Sequence, residues 1–463
     1  MSPFSPSDPR PVHFVGIAGA GMRALAELLA RRGVHVTGCD ANPGDSADLE
    51  RLGITVHQGH DAAHADGAQA LVATSAMPRD HPELSHAREL GLPVIRRAEA
   101  LAEAVSVGEL IAIAGTHGKT TTTVMTTEAL AAAGLEPTGI AGGRVDAWQG
   151  NLRPGADRLF VVEADEYDRS FLALAPTIAV VTNVEADHLD IYKDLADIRS
   201  AFARFVGGAR TIILGADDPE ANTLPLPSTA QVIRFGLSSP DARLVARDVR
   251  RVDGGSAYTA LHDGEPIAEV TLRVPGQHNV RNSLAALAAG IALDADIGAM
   301  ARGLGAFTGV ERRFQRLGEA GGVTVVDDYA HHPTEIRATL AAARAAFPER
   351  RLVAAFQPHL FSRTRDFAAE FGQALAEADV IFLAEIYPAR EQPIEGVTSE
   401  LVQRAAQAAG GDVVWLGSRA DLAAALAGRV HAGDVVLTLG AGDITRTGAE
   451  LLIRLTSASR CAS

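Results

Sequence analysis

Residues 111–123 constrain the fold of this chain more than any other stretch, because they indicate a strand, a glycine turn and a helix in succession. They read Ile-Ala-Ile-Ala-Gly-Thr-His-Gly-Lys-Thr-Thr-Thr-Thr. The backbone N–H groups of such a turn line a concave anion site, and the helix N-terminus adds its positive dipole. Lys119 supplies a full charge and Thr120 a hydroxyl for Mg²⁺. The stretch predicts a phosphate site; a glycine turn followed by a threonine-rich helix cap is the alternative.

Spacing and composition refine this prediction. A standard Walker A motif would need a glycine at position 113, where Ile113 stands. The chain has 42 basic side chains but only two lysines, Lys119 and Lys193. A lysine ammonium is a compact, rotatable point charge, and a planar guanidinium does not replace it in a phosphate loop. The rarity of lysine therefore favours nucleotide binding at this turn.

The overall composition is that of a soluble globular chain with two to four domains: 463 residues, 47% hydrophobic and 21% charged. A net charge of −15 argues against a nucleic-acid partner. Two cysteines, Cys39 and Cys461, predict neither a disulfide framework nor a zinc site, and they fit a reducing cytoplasm. Residues 1–11 are polar and no apolar run is long enough to span a bilayer, so we expect no membrane insertion.

The N-terminal part begins as a doubly wound α/β domain. Residues 13–22 read His-Phe-Val-Gly-Ile-Ala-Gly-Ala-Gly-Met, followed by a helical segment 23–32 and a strand at 34–40. Its overlapping glycine registers and Asp40 leave two alternatives open: an NAD site and a turn used only for packing. A strand at 70–75 ends in small polar residues, and a helix finishing near Val107 marks the first domain boundary.

Two acidic clusters follow strands in the second segment. Residues 163–168 read Glu-Ala-Asp-Glu-Tyr-Asp after the strand at 159–162, and residues 183–188 read Asn-Val-Glu-Ala-Asp-His after the strand at 177–182. Because the carboxyl ends of parallel strands share one edge, both clusters are expected beside the phosphate loop. Carboxylates next to a triphosphate would repel it unless Mg²⁺ lay between them, so a metal site is preferred over a solvated acidic loop.

The remaining chain adds an antiparallel insertion at 225–275 and a third, again doubly wound, segment from about Arg313. Its strands are predicted at 323–326, 352–356, 380–383 and 435–439. Between them, His278 and Asn282 open an alanine-rich helix, either as caps or as contacts to an adenine edge. Polar residues at neighbouring strand ends suggest a site for a carboxylate and an amine: His331, His332, His359, Arg363 and Arg365.

These motifs together resemble the Mur ligase family over nearly the whole chain. The resemblance rests on residues 13–22, 115–120, 163–166, 182–189, 275–279, 327–335 and 357–365. It implies an α/β protein of three domains: a Rossmann-like UDP-sugar-binding domain at 1–108, a central P-loop-type ATPase with a mixed sheet at 109–312, and a Rossmann-like amino-acid-binding domain at 313–463. The short phosphate loop that misfits Walker A is the form this family carries.

The resemblance also implies an activity. It is the ATP-dependent ligation of L-alanine to the carboxylate of UDP-N-acetylmuramate through an acyl phosphate, with Mg²⁺, in peptidoglycan precursor synthesis. A ligase that recycles a tripeptide onto the same UDP-sugar is the closest alternative, and an NAD-dependent dehydrogenase and a nucleotide-regulated binding protein are the rivals from other classes. We expect a cytoplasmic monomer or homodimer.

Site residues carried over from the family fall into five groups. The UDP-sugar group is Gly16, Ala18, Gly19, Ala20, Gly21, Met22, Asp40 and Ser75. The ATP group is Gly115, Thr116, His117, Gly118, Lys119, Thr120, Thr121, His278 and Asn282. The amino-acid group is Tyr329, His331, His359, Arg363 and Arg365. The metal ligands are Thr120, Glu163 and His188, and the catalytic residues are Lys119, His188, His331 and Arg363.

Two departures from the family pattern matter. Ala18 stands where the family usually has glycine, which slightly tightens the room for a pyrophosphate. Residues 198–205 contain no lysine, so we predict no carbamylated lysine at the metal site, in keeping with the alanine-adding branch.

Overall fold

The computed structural model describes residues 3–74, 77–389 and 391–461. They form three α/β domains, each on its own sheet, which confirms the predicted fold class. Within these ranges, no helix combines the length and the apolar character needed to cross a bilayer.

The N-terminal domain alternates strands and helices around a parallel sheet. Its strands are β1 (Val12–Val15), β2 (Val36–Asp40), β3 (Thr55–Gln58), β4 (Ala70–Ala73) and β5 (Val94–Arg96), and its helices are α1 (Ala20–Arg31), α2 (Ala47–Glu50), α3 (Pro82–Glu89) and α4 (Arg97–Val105). The strand order in the sheet is β3-β2-β1-β4-β5, so the chain builds the sheet outwards in one direction from β1 to β3 and in the opposite direction from β4 to β5. Ligands bind at such switch points in open α/β sheets, and the glycine turn follows β1 there.

The central domain carries a mixed sheet. Its strands are β6 (Glu109–Ala114), β7 (Thr138–Val145), β8 (Gly150–Arg153), β9 (Leu159–Glu163), β10 (Ile178–Val181), β11 (Thr211–Gly215), β12 (Gln231–Gly236), β13 (Leu244–Val252), β14 (Gly255–His262) and β15 (Glu265–Leu272). Its helices are α5 (Lys119–Ala132), α6 (Leu195–Val206), α7 (Pro219–Asn222), α8 (Gln277–Ala292) and α9 (Ile297–Ala306). The order is β15-β14-β13-β12-β11-β10-β6-β9-β7-β8. The predicted antiparallel insertion corresponds to β13, β14 and β15.

β6 lies between β10 and β9, and all three run parallel. Their carboxyl ends therefore meet at one edge of the sheet, where the phosphate loop and both acidic clusters begin. The strand interiors are fully buried, because helices cover both faces of this parallel region.

The C-terminal domain has a six-stranded sheet. Its strands are β16 (Gln315–Ala320), β17 (Val323–Asp328), β18 (Leu352–Phe356), β19 (Val380–Ala384), β20 (Val413–Gly417) and β21 (Val435–Leu439), and its helices are α10 (Pro333–Ala346), α11 (Phe361–Leu375), α12 (Glu400–Ala408), α13 (Arg419–Ala427) and α14 (Thr445–Cys461). The order is β16-β17-β21-β18-β19-β20, with only the β16–β17 pair antiparallel. The edge strands β16 and β20 were not predicted.

The three domains are joined in different ways. One continuous apolar core includes Phe14 and Leu25 of the N-terminal domain and Phe160 and Phe202 of the central domain. The two large apolar clusters of the C-terminal domain consist of its own residues. The contacts described below between that domain and the central one are hydrogen bonds and ion pairs.

Candidate active site

The phosphate loop between β6 and α5 has the backbone geometry that anion binding requires. Gly115 and Gly118 have φ angles of +137° and +81°, which residues with a side chain rarely adopt. A Cβ atom at Gly115 would lie 2.0 Å from Oγ1 of Thr182, so only glycine fits there. Helix α5 then begins at Lys119, and its unbonded N–H groups open onto the loop.

The residues after β10 hold this loop in place. The backbone N–H of His117 donates to Oδ1 of Asn183 at 2.8 Å, and Oγ1 of Thr182 donates to the His117 carbonyl at 2.7 Å. The backbone N–H of Glu185 donates to Oγ1 of Thr116 at 2.8 Å. The second acidic cluster therefore lies beside the phosphate loop, as predicted.

Lys119 joins the loop to the first acidic cluster. Its Nζ donates to the carbonyl of Gly115 at 2.7 Å and to Oε1 of Glu166 at 2.8 Å. Burial acts to lower the pKa of Lys119, but the carboxylates of Glu166 and Asp165 outweigh it and raise the pKa, so the ammonium stays charged. Burial raises the pKa of Glu166 to about 7, and Lys119 offsets only part of that rise.

The three predicted metal ligands lie at the same sheet edge. Oγ1 of Thr120 donates to Oε1 of Glu163 at 3.0 Å, and Nε2 of His188 lies 3.8 Å from Oε1 of Glu166. His188 has a φ angle of +53°, a strained conformation that residues at functional sites often adopt. Burial, followed by the charges of Arg363 and Lys119, lowers the pKa of His188, which leaves its imidazole neutral and able to bind a metal.

A cleft of about 300 Å³ extends from the loop to the boundary with the C-terminal domain. His278 and Asn282, the predicted adenine contacts, line it together with Thr121. Burial, and then the charge of Arg281, lowers the pKa of His278 to about 4, so this imidazole is neutral and can exchange hydrogen bonds with a purine. Phe235 and other apolar side chains line the same cleft, which suits a nucleobase.

His117 sits between carboxylates of two domains. Its Nε2 lies 3.2 Å from Oε2 of Glu185, and its Nδ1 lies 3.3 Å from Oε1 of Glu335 on α10. Burial acts to lower the pKa of His117, but the two carboxylates raise it to about 9. The His332 ring lies 4.8 Å away, and burial together with His117 lowers the pKa of His332 to about 4. The His117 imidazolium therefore neutralises part of the negative charge of Glu185 and Glu335 beside the loop.

A buried ion pair connects the second acidic cluster to α11. Nη2 of Arg363 lies 2.6 Å from Oδ1 of Asp187, and both side chains are less than 10% exposed. Burial acts to raise the pKa of Asp187, but the guanidinium outweighs it and holds that pKa well below its usual range. Arg363 also approaches Nδ1 of His359, at 3.4 Å.

The predicted amino-acid site is partly assembled. The rings of His331 and His359 lie 6.0 Å apart, and the Tyr329 ring lies 5.1 Å from that of His331. Nδ1 of His331 lies 3.1 Å from Oε2 of Glu335. Arg365 is not part of this group, because its side chain is 55% exposed and pairs with Asp366.

The glycine turn of the N-terminal domain is held by β2. The N–H of Gly16, which has a φ angle of +84°, donates to the carbonyl of Cys39 at 2.8 Å. Oδ2 of Asp40 accepts from the N–H of Ala18 at 3.0 Å. Asp40 thus shapes the turn. Gly19 caps α1, which begins at Ala20.

Two residues assigned to the UDP-sugar site require comment. Met22 packs in the apolar core with 2% exposure, because the helical period turns its side chain inward, and its contact with the UDP-sugar stays a prediction. Ser75 lies outside the described residues. A cation that sequence analysis missed lies nearby: a Cβ atom at Gly21 would be 3.0 Å from Nη1 of Arg97.

Sequence analysis missed several other site residues. Glu166, Glu185 and Asp187 fall inside the motifs quoted above, but no role was assigned to them. Their position within the same acidic clusters was the available signal, whereas their partners Lys119, Thr334 and Arg363 are distant in sequence.

Comparison with known families agrees with this geometry. The Mur ligase family, catalytic domain matches residues 11–107, the Mur ligase middle domain residues 113–290, and the Mur ligase, glutamate ligase domain residues 312–442. The fold and site thus define an ATP-dependent ligase built from three α/β domains, and the chain belongs to the Mur ligase family.

Individual relatives narrow the similarity. The UDP-N-acetylmuramate--L-alanine ligase of Streptomyces avermitilis is 46% identical over 465 residues, covering 98% of this chain and 99% of the relative. That of Salinibacter ruber is 45% identical over 443 residues, covering 94% and 93%. Among solved structures, UDP-N-acetylmuramate-alanine ligase from Thermotoga maritima has a TM-score of 0.82 at 28% identity, covering 97% and 99%. A murein peptide ligase from Psychrobacter arcticus has a TM-score of 0.71 at 28% identity, covering 96% and 99%.

Proposed function

We propose that this protein uses ATP to join L-alanine to the carboxylate of UDP-N-acetylmuramate. The observation that carries the proposal is that the central and C-terminal domains meet at their candidate sites. The phosphate loop lies on one side of the Asp187–Arg363 ion pair, and the group of His331, His359 and Arg363 lies on the other. The full-length similarity to L-alanine ligases supports the choice of substrates.

The first step follows from the poor electrophilicity of a carboxylate. The sugar carboxylate attacks the γ-phosphate of ATP to form an acyl phosphate, and ADP leaves. This encounter of two anions requires positive charge at the transferred phosphoryl group. Lys119 supplies it from the chain, and the N–H groups of the loop fix the phosphates.

Thr120, Glu163 and His188 would hold Mg²⁺ at this edge, where the ion supplies further charge neutralisation. The arrangement fits a cation because Oε2 of Glu166 is buried and makes no hydrogen bond with a described residue. Oxygen donors from Thr120 and Glu163 are of the type that Mg²⁺ prefers.

In the second step, the alanine amine must lose a proton before it attacks the acyl phosphate and releases phosphate. A histidine at the junction accepts that proton, and His331 and His359 are the candidates. Arg363 provides positive charge next to them, which suits the amino-acid carboxylate. The compartment that supplies ATP and a UDP-sugar is the cytoplasm, and we place the protein there as a monomer or homodimer.

Phosphate release from ATP with UDP-N-acetylmuramate tests the proposal. We expect turnover with L-alanine and almost none with the tripeptide L-Ala-D-Glu-meso-diaminopimelate or with no acceptor. Faster turnover with the tripeptide would instead identify a recycling ligase, the alternative that the similarity to the murein peptide ligase from Psychrobacter arcticus keeps in view. Phosphate release that is equally fast without L-alanine and without the tripeptide would contradict both ligase activities.

A further inference from the structure

A group of titratable side chains lies under α3, and the ligase reaction described above does not use it. This His–Cys–Glu cluster comprises His13, Cys39, His60, His64, His81 and Glu83. β1 supplies His13, β2 supplies Cys39, and α3 supplies Glu83. The surrounding apolar core on this face of the sheet is small. The charged and polar groups of a buried cluster must pair or form hydrogen bonds with one another or with a bound ion.

Glu83 is the centre of the cluster and is fully buried. Its carboxylate oxygens lie 3.3 Å from Nε2 of His13, 3.4 Å from Nδ1 of His64 and 3.2 Å from Sγ of Cys39. No lysine or arginine pairs with it among the described residues. The carboxylate charge therefore depends on imidazoles and a thiol for compensation.

The orientation of His13 indicates that something belongs between it and Glu83. His13 is 1% exposed, and its Nδ1 lies 2.9 Å from Oγ1 of Thr37. Its Nε2 faces the Glu83 carboxylate at 3.3 Å but forms no hydrogen bond within the described ranges. A metal-binding imidazole usually donates its other ring N–H to a neighbouring acceptor, and Oγ1 of Thr37 can accept from Nδ1 of His13, which leaves Nε2 for an ion.

The distances match a metal site. Ligand bonds of about 2.0–2.3 Å in a tetrahedron place neighbouring ligand atoms about 3.3–3.7 Å apart. The ligand atoms of His13, Cys39, His64 and Glu83 all lie within 4.8 Å of one another. Oε1 of Glu83 lies 3.2 Å from Sγ of Cys39 and 3.4 Å from Nδ1 of His64, and Oε2 lies 3.2 Å from the same sulfur and 3.3 Å from Nε2 of His13. A thiolate, two imidazoles and a carboxylate together favour Zn²⁺ or a similar transition metal over Mg²⁺.

We propose that His13, Cys39, His64 and Glu83 bind one Zn²⁺-class ion that stabilises the N-terminal domain. The ion would tie β1, β2, the turn at 62–65 and α3 together. Nδ1 of His60 lies 3.2 Å from Sγ of Cys39 and is placed to donate a hydrogen bond to the bound thiolate. His60 and His64 are each about one-fifth exposed, which gives the ion a route from solvent.

The ion would also fix the nucleotide turn of this domain. The backbone carbonyl of Cys39 accepts a hydrogen bond from the N–H of Gly16, and the carboxylate of the neighbouring Asp40 accepts one from the N–H of Ala18. A ligand bond at Cys39 therefore restrains the end of β2 that holds the glycine turn. The ion serves a structural role, and its presence is independent of which acceptor the ligase uses.

Cobalt binding to the full-length, chelator-treated protein tests the site, with excess Mg²⁺ present to fill oxygen-ligand sites. Co²⁺ should bind at one equivalent per chain and give a thiolate-to-cobalt charge-transfer band together with tetrahedral d–d bands. Zn²⁺ should then displace Co²⁺, bleach these bands and raise the melting temperature of the metal-free protein. Cys39→Ser should abolish the charge-transfer band and weaken binding at least about 100-fold.

Two variants serve as matched controls. Cys461→Ser removes the other cysteine of the chain, and His35→Ala removes an exposed histidine outside the cluster. Both should keep the cobalt spectrum. Glu83→Gln should lose metal binding, and circular dichroism shows whether it folds; if it does not fold, the near-isosteric Cys39→Ser variant decides alone.

The remaining outcomes would overturn the proposal. They are an absence of the charge-transfer band in the wild-type protein, a band that survives Cys39→Ser but not Cys461→Ser, and a melting temperature that Zn²⁺ leaves unchanged. Ligase activity is not the readout, so loss of the metal site leaves the proposed function standing, and failure of the ligase assay leaves the metal site standing.

Discussion

We propose that two turns of this protein hold phosphate in different ways. The turn from Gly115 to Lys119 and the turn from Gly16 to Gly21 each follow a buried parallel strand, begin with a glycine of positive φ and open a helix. The first has a lysine and faces the acidic clusters after β9 and β10. The turn from Gly16 to Gly21 has no lysine and faces no such acidic cluster among the described residues, and Arg97 from another helix lies beside it.

The difference reflects what happens to the phosphate. A phosphoryl group in transfer changes its charge distribution, which a small, mobile ammonium can follow, and metal-binding carboxylates are useful only there. A pyrophosphate that is merely held is served by backbone N–H groups and a planar guanidinium. We therefore assign reactivity to the central turn and binding to the N-terminal one.

The largest expected effect comes from Lys119→Ala. We expect kcat to fall by about 10³-fold or more, because a charge aimed at the transferred group is lost, while the affinity for UDP-N-acetylmuramate stays unchanged. Phosphate release and calorimetric titration measure the two quantities. Lys193→Ala, at the other lysine and on the surface, is the matched control. Turnover within tenfold of wild type would remove the distinction between the turns.

Glu163→Ala should raise the Mg²⁺ concentration required for half-maximal activity by about 10–100-fold, because one of the oxygen donors is lost. A Mg²⁺ titration of initial rates measures this. Glu370→Ala, at an exposed position of α11, should not change the titration. An unaltered Mg²⁺ requirement in Glu163→Ala would contradict a metal role for the first acidic cluster.

Arg97→Ala tests the N-terminal turn. We expect KM for UDP-N-acetylmuramate to rise by about 10–30-fold, corresponding to about 1.5–2 kcal/mol for a charge-assisted contact, with kcat nearly constant. Steady-state kinetics separate the two parameters, and Arg51→Ala at an exposed site is the control. A fall in kcat at constant KM would mean that this turn also acts on the reacting groups.

The last expected effect is on stability and concerns its dependence on pH. The pKa of His117 is about 9 in the folded protein and about 6.5 in the unfolded chain, so the folded state binds the extra proton between these values. The resulting stabilisation, about 3 kcal/mol, is complete below about pH 6.5 and is lost as pH rises through 9.

Melting temperatures at pH 6.5 and pH 9 for the wild type and His117→Asn measure this stabilisation. The variant should show a shallower decline with pH, because its asparagine side chain does not titrate while Glu185, Glu335 and His332 still face position 117. Identical slopes would show that His117 does not carry the charge assigned to it.

Local signals in the sequence were enough for the sheets and the loop. Buried parallel strands give apolar runs, and Gly115 and Gly118 occupy positions that only glycine tolerates well. The edge strands β3 and β16 escaped prediction because they contain no continuous apolar run, whereas β20 has one, Val-Val-Trp-Leu, that was overlooked.

Pairs that are distant in sequence could not be predicted. Asp187 and Arg363 are 176 residues apart, and only the docking of two domains brings them to 2.6 Å. The number and spacing of the two cysteines predicted no zinc site, and they gave no indication of the His–Cys–Glu cluster for the same reason. Its members come from β1, β2 and α3 rather than from one short motif.

The unequal junctions between the domains have a consequence for where the molecule can open. The N-terminal and central domains share one apolar core, so separating them would expose apolar side chains to water. The C-terminal domain meets the central one through Asp187–Arg363, Glu185–Thr334 and His117–Glu335. Water can solvate these polar groups once they separate, but the buried Asp187–Arg363 pair must first be broken. We therefore expect movement between domains to occur at this polar junction and not at the shared apolar core.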